Sequence, residues 1–174
     1  ILPQAKTILP FELKIGGLGA AFNQNNLKDN WTLMFYGFTN CPGLCPTTMS
    51  ELAKAYRSLS NSNFQPLPQV VFVSIDPERD TQQIVNTYAK TFNKNFLGAR
   101  TDDTTLLQRM TREMNAMFTK VPMQGKDKGY TIDHTGDIVV INPQGQMVAM
   151  LTMPHLAEDI VHDYKVIVQK KRIT

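Results

Sequence analysis

Short apolar runs that alternate with helical patterns constrain the fold of this chain more than any other feature. The runs at 31–38 ("WTLMFYGF") and 69–76 ("QVVFVSID") are predicted as buried strands, because each is short and almost continuously apolar. The pattern at 47–60 predicts a helix between them, with its apolar side chains on one face. Strands that alternate with helices are typical of an α/β domain.

The rest of the chain continues this alternation and closes with a hairpin. Helices are predicted at about 81–92, 103–118 and 156–171, with a brief strand before the second of them. Residues 136–152 predict two strands around an Asn-Pro-Gln-Gly turn. The expected fold is a single domain over residues 1–174, with a mixed central sheet and helices on both faces.

Composition argues against a nucleic-acid-binding or membrane-spanning chain. The 174 residues carry a net charge of +3, and Lys and Arg cluster only in the tail at 169–174, whereas a phosphate-binding surface needs a broader basic patch. No apolar run approaches the ~18 residues of a membrane span. The sequence begins with Ile1 rather than Met, so we expect that an upstream anchor or signal segment is not present in it.

Both cysteines lie in one loop, "NCPGLCP", between the first predicted strand and helix. Each is followed by a proline, which disfavours helix at the cysteine, and Pro46 suits the first turn of a helix. Cys45 is therefore expected near a helix N-terminus, where unpaired N–H groups favour a thiolate. The loop can also bend back so that Cys41 and Cys45 form a disulfide. A metal site, a redox disulfide and a purely structural pair of cysteines all stay open.

A soft metal held by two thiolates usually takes a third ligand, and the chain has three histidines. His155 and His162 are predicted on the solvent face of the last helix, among acidic residues. His134 stands at the approach to a predicted strand, where it can either meet the cysteine loop or serve as a hydrogen-bonded structural residue. Two thiolates and an imidazole suit Cu(I), Cu(II) or Zn(II), and the spacing does not choose among them.

Asp76 is the acidic residue best placed to support such a site, because it ends the second buried strand and precedes Pro77. It can orient the imidazole or tune a thiol from beside the ligands. Alternatively it caps the loop before a helix, since Asp before Pro often forms turns. Asp133 is discounted as a partner, because neighbours along a strand point to opposite faces.

The chain has nine methionines, and a methionine thioether can bind copper. Met110, Met114 and Met117 fall at i, i+4 and i+7 of a predicted helix. That spacing is the buried stripe of an amphipathic helix, where methionine packs well. We therefore interpret the three as core residues rather than ligands.

Three blocks of the sequence, "YGFTNCPGLCPTTMSEL", "FVSIDPERDT" and "DHTGDIVVINPQG", resemble the signature blocks of the SCO/SenC family in the same order. The resemblance extends from about Phe11 to the last helix. It implies a thioredoxin-like fold that binds copper, as Cu(I) or Cu(II), through Cys41, Cys45 and His134. It also implies a role in assembling the dinuclear copper centre of cytochrome c oxidase, by delivering copper or by keeping the target cysteines reduced.

The same resemblance implies a location outside the cytoplasm, at the periplasmic face of a bacterial inner membrane or in the mitochondrial intermembrane space. The partners it implies are the copper-site subunit of the oxidase and other copper chaperones or thiol-redox proteins. One position departs from the family pattern: Gly43 stands where an acidic residue is common. Glycine makes the loop more flexible and removes a negative charge beside the metal.

Two other functions would use the same cysteines. A thiol–disulfide oxidoreductase needs an attacking and a resolving thiol but no distant imidazole, so the presence of His134 favours copper binding. A peroxidase of the peroxiredoxin type needs an arginine beside the thiolate, and Arg57 is the nearest one in sequence.

Overall fold

The computed structural model describes residues 1–41, 43–122, 130–134 and 136–173, apart from the side chains of 130–134 and 171–173. In that part the strands are β1 Lys6–Thr7, β2 Glu12–Ile15, β3 Ala20–Asn23, β4 Thr32–Gly37, β5 Gln69–Ser74, β6 Leu97–Arg100, β7 Phe118–Pro122, β8 Tyr130–His134, β9 Ile138–Ile141 and β10 Gln146–Leu151. The helices are α1 Leu44–Asn61, α2 Gln82–Phe92, α3 Thr104–Glu113 and α4 Ala157–Ile173.

An eight-stranded mixed sheet organises these elements, in the order β1-β10-β9-β4-β5-β6-β2-β3. Strands β4, β5 and β6 run parallel, and β9 pairs with β4 in the antiparallel direction. All residues of β4 are buried, which explains why its sequence is continuously apolar instead of alternating. The mixed central sheet and the β9–β10 hairpin confirm the predictions from the sequence.

Helices cover both faces of this sheet. Phe35 and Phe72 are register partners on β4 and β5, and the Phe72 ring packs against Tyr88 of α2 with centroids 4.9 Å apart. Tyr36 follows Phe35, so its side chain points to the opposite face. There its hydroxyl donates to Met114 Sδ at 3.0 Å, directly after α3.

Two predicted helix boundaries differ from the structure. Helix α1 begins at Leu44, before the predicted start, and α3 ends at Glu113 instead of near residue 118. Asn115 adopts a positive φ of 56°, a conformation that ends helices. The chain then enters β7, which pairs with β8.

The methionine stripe is correspondingly shorter than predicted. Met110 and Met114 are fully buried, as expected for core residues, but Met117 lies beyond the helix and is 61% exposed. Within the described part of the chain, no helix is both long and apolar enough to cross a membrane.

Candidate metal centre

Three chain segments meet at one edge of the sheet. Gly37 and Ser74, the last residues of the parallel strands β4 and β5, are register partners, so the loops that follow them leave the sheet together. Strand β9 is antiparallel to β4, and its first residue, Ile138, lies opposite Phe35. The residues that precede β9 therefore reach the same edge. The cysteine loop, the loop after β5 and residues 136–137 all converge there.

The two cysteines are free thiols in different surroundings. Cys41 is partly exposed, whereas Cys45, the second residue of α1, is fully buried. The backbone N–H of Cys45 donates to Sγ of Cys41 at 3.5 Å, and the N–H of Cys41 donates to the Phe38 carbonyl at 3.2 Å. The helix N-terminus is thus directed at the Cys41 sulfur.

Cys45 packs tightly against the sheet. A Cβ added to Gly37 would lie only 2.7 Å from Cys45 Sγ. Burial raises the pKa of Cys45 far above its ordinary value, opposed by a hydrogen bond with the Phe38 backbone and reinforced by Cys41 and Asp80. Desolvation thus opposes the thiolate that the helix N-terminus favours at Cys45, and the expectation of a thiolate there stays a prediction.

The loop after β5 places two buried carboxylates at this edge. Asp76 accepts a hydrogen bond from Arg79 Nε at 2.5 Å, and its action beside the ligands stays a prediction. Asp80, which the sequence analysis did not single out, reaches the cysteine loop through Thr39 at 3.0 Å. The sequence signals for Asp80 are its place in the block "FVSIDPERDT" and its position directly before Thr81, the N-cap of α2.

The hairpin of β7 and β8 carries His134 and is linked to the same loop. The backbone of His134 pairs with Phe118 across the hairpin. Lys120 of β7 forms an ion pair with Glu78 at 3.2 Å, which ties the hairpin to the loop after β5. The described backbone thus brings the element of the third predicted ligand to the sheet edge.

The segment after His134 rests directly on the start of α1. A Cβ added to Gly136 would lie 3.1 Å from Cδ2 of Leu44, the neighbour of Cys45. The Gly136 carbonyl is also in hydrogen-bond contact with Nε2 of His155. His155 is 8% exposed and precedes α4, so the prediction that it lies on the solvent face of the last helix is wrong. Through this contact His155 holds Gly136, which lies two residues after His134 and precedes β9.

Aromatic and basic side chains flank the cysteine loop. The guanidinium carbon of Arg79 lies 5.9 Å from the ring centroid of Phe38. The fold thus brings an arginine that is distant in sequence close to the residues that precede Cys41. Tyr88 lies on the α2 side. Its pKa is raised first by burial and then by Cys45, Cys41 and Asp80.

The donor chemistry at this edge fits a soft metal ion. Cys41 and Cys45 are thiol donors of the kind that copper and zinc prefer. Among the side chains that the structure describes, no group of three or more His, Cys, Asp or Glu is close enough to hold a metal. The His134 side chain lies outside the described part, so its role as third ligand stays a prediction.

Comparison with known proteins places this site in a family context. The family model described as SCO1/SenC matches residues 2–169. A SCO2-like protein from Rickettsia felis is 31% identical over 141 residues, covering 77% of this chain and 67% of the relative. The crystal structure of Arabidopsis thaliana ScoI with copper bound superposes with a TM-score of 0.82 at 27% identity, covering 95% of this chain and 98% of that one. Yeast Sco1 with copper bound gives 0.82 at 25% identity, covering 94% and 89%.

Proposed function

This chain belongs to the SCO1/SenC family, and from that membership we propose that it binds copper through Cys41, Cys45 and His134 and passes it to the dinuclear copper centre of cytochrome c oxidase. Bound copper of this kind is cargo, so the chain acts as a metallochaperone. The copper-bound structures of the Arabidopsis and yeast relatives support copper as the metal. Thiolate and imidazole donors suit both Cu(I) and Cu(II).

The observation that carries this proposal is the convergence of three segments at one sheet edge. Gly136, two residues after His134, packs on Leu44, and Leu44 adjoins Cys45 in the first turn of α1. The antiparallel register of β9 with β4 fixes this proximity. The backbone segment that follows His134, about 90 residues beyond the cysteines, thus lies beside the helix that carries Cys45, which supports the proposal.

The two cysteines would divide the work of taking up the ion. Cys41 is the partly exposed donor, so it is the sulfur that an incoming ion or a partner protein meets first. Cys45 is buried, and burial raises its pKa, which favours the protonated thiol. Its proton must leave when the sulfur becomes a ligand, because thiolates and not thiols bind metals. Copper uptake therefore releases protons.

The proposed partner is the copper-site subunit of cytochrome c oxidase, with other copper chaperones or thiol-redox proteins upstream. The proposed location is outside the cytoplasm, at the periplasmic face of a bacterial inner membrane or in the mitochondrial intermembrane space. Paired thiols that can form a disulfide are compatible with those compartments.

One observation favours a second candidate function, thiol–disulfide exchange. A partly exposed cysteine beside a buried one matches the attacking and resolving roles. Cys41 would attack a target disulfide to form a mixed disulfide, and Cys45 would then close the Cys41–Cys45 bond and release the reduced target. Two electrons pass to the target, whose sulfurs take up two protons.

Replacement of His134 by Ala separates the two functions. His134→Ala removes one proposed ligand and leaves both thiols in place, so copper affinity should fall by at least the ~10–100-fold that even supporting residues contribute. Reduction of a model disulfide should stay within a few-fold. His162→Ala is the matched control, since His162 is exposed on α4.

The decisive readout is oxidase assembly in a strain that lacks its own member of the family. Copper delivery predicts that His134→Ala abolishes assembly and that His162→Ala does not. Normal assembly with His134→Ala would contradict copper delivery and favour thiol reduction.

A further inference from the structure

A buried carboxylate holds the cysteine loop at the sheet edge. Asp80 is fully buried. It accepts hydrogen bonds from the Thr39 backbone N–H at 3.0 Å, from Thr39 Oγ1 at 2.5 Å and from Ser74 Oγ at 2.8 Å. An ionised carboxylate only accepts hydrogen bonds, so three donors match it. Both the main chain and the side chain of Thr39 are bonded to this one group.

Asp80 is itself fixed by its backbone. Its N–H donates to the Asp76 carbonyl at 2.9 Å, and its own carbonyl accepts from Arg100 Nε at 2.5 Å. Arg100 also donates through Nη2 to the Pro77 carbonyl at 2.7 Å. The carboxylate therefore stands on a rigid loop and can serve as a fixed anchor for another segment.

That other segment leads directly to the candidate site. Thr39 precedes Cys41 by two residues, and Asn40 between them is exposed. The Cys41 sulfur accepts the N–H of Cys45. A continuous path thus runs from Asp80 through Thr39 to the two thiols.

We propose that Asp80, acting through Thr39, is the positioning residue that keeps the Cys41 thiol beside Cys45. The inference rests on the proposed copper site and deepens it. A donor held in place before binding loses less freedom when the ion arrives, so the anchor should raise copper affinity. In this proposal Asp80 neither binds the ion nor contacts a sulfur, and it acts only through Thr39.

The chain offers a closely matched set of variants to test this. Thr39→Val keeps the shape of the side chain and removes its hydroxyl bond to Asp80, whereas Thr39→Ser keeps the hydroxyl. Ser74→Ala removes another hydroxyl bond to the same carboxylate, but from β5 and not from the cysteine loop. Asp80→Asn is the conservative variant: its carbonyl can accept from Thr39 and Ser74 while its amide donates to Thr39 Oγ1.

Copper affinity and amide exchange are measured for each variant. Cu(II) binding is followed by the thiolate charge-transfer band, Cu(I) binding by competition with a chromophoric chelator, and exchange at residues 38–45 by mass spectrometry of the metal-free protein. Thr39→Val should weaken copper binding roughly tenfold and speed exchange in this segment, since a hydrogen bond to a charged group contributes about that factor. Thr39→Ser, Ser74→Ala and Asp80→Asn should stay within a few-fold of the unmodified protein.

Two results would overturn the inference. If Thr39→Val and Ser74→Ala weaken copper binding equally, Asp80 acts only through general stability. If exchange at 38–45 is unchanged in Thr39→Val, the anchor does not hold the loop. Failure of the proposed function looks different, because Cys41→Ser would then leave copper binding intact, and the exchange measurement still decides whether Asp80 positions the loop.

Discussion

The backbone N–H of Cys45 donates to Sγ of Cys41 at 3.5 Å. This contact joins the partly exposed Cys41 to the helix that carries the buried Cys45, and it directs the positive end of α1 at the more accessible sulfur. The two thiols therefore differ in reactivity although they are four residues apart.

Selective alkylation follows from this asymmetry. In reduced, metal-free protein at neutral pH, Cys41 should react with iodoacetamide at least tenfold faster than Cys45, because Cys45 is fully buried and burial raises its pKa. Peptide mass spectrometry after timed quenching measures both rates. Equal rates would show that the loop opens on the timescale of the reaction.

Gly37, which precedes the cysteine loop, and Gly43, which lies between the two cysteines, should respond differently to an added methyl group. Gly37→Ala places a Cβ 2.7 Å from Cys45 Sγ and 2.9 Å from Phe72, so it should cost about 1–3 kcal/mol in the free energy of unfolding. Gly43→Ala is the matched control, because among the described residues, its chain neighbours apart, no heavy atom lies within 4 Å of an added Cβ there. Urea unfolding compares the two variants.

The open space at Gly43 also permits a test of the departure from the family pattern. Gly43→Glu restores an acidic side chain beside the proposed copper site and should fold normally. We expect a gain of a few-fold in copper affinity that shrinks as salt is added, because the new charge is exposed and screened. A gain that is independent of salt would indicate direct coordination.

Alkaline stability should depend on Tyr36. Burial, and then Glu113, raise the pKa of Tyr36 above its ordinary value of 10.0. A group whose pKa is raised by folding stabilises the fold below its unfolded pKa, so this contribution is lost as pH rises above about 10. Tyr36→Phe should flatten the loss of unfolding free energy between pH 9 and about 11 relative to the unmodified protein. An unchanged profile would assign the loss to other groups.

Oxidation should be reversible and intramolecular. Cys41 and Cys45 share one loop, and their Cα atoms can approach the ~4.4–6.8 Å that a disulfide requires. Air-oxidised protein should lose two hydrogens by mass spectrometry without dimer formation, and that form should not bind copper, since its sulfurs are no longer thiolates. Copper binding by the oxidised form would contradict the coupling.

Strand and helix periodicity predicted the central sheet, the β9–β10 hairpin and the cysteine loop, because these depend on local patterns and on burial of continuous apolar runs. The end of α3 was not predictable in this way. Its apolar pattern continues past Glu113, but pairing of β7 with β8 competes for residues 118–122. Tertiary pairing prevailed over helical periodicity there.

The surroundings of the cysteines were harder to predict than the cysteines themselves. Asp76 and Asp80 have the same chemistry and lie in one loop, and only the fold shows that Asp80 contacts Thr39 while Asp76 pairs with Arg79. The burial of His155 against Gly136 likewise depends on a contact between distant segments. Short motifs identify candidate ligands, whereas their supporting contacts require the three-dimensional arrangement.

Anaerobic copper titration of the fully reduced protein tests the central claim most directly. We expect one copper ion per chain, a thiolate charge-transfer band with Cu(II), and loss of both in Cys41→Ser and Cys45→Ser. Metal analysis gives the stoichiometry and absorption spectroscopy the band. If either serine variant keeps the band and the stoichiometry of the unmodified protein, copper binds elsewhere and the proposed site is wrong.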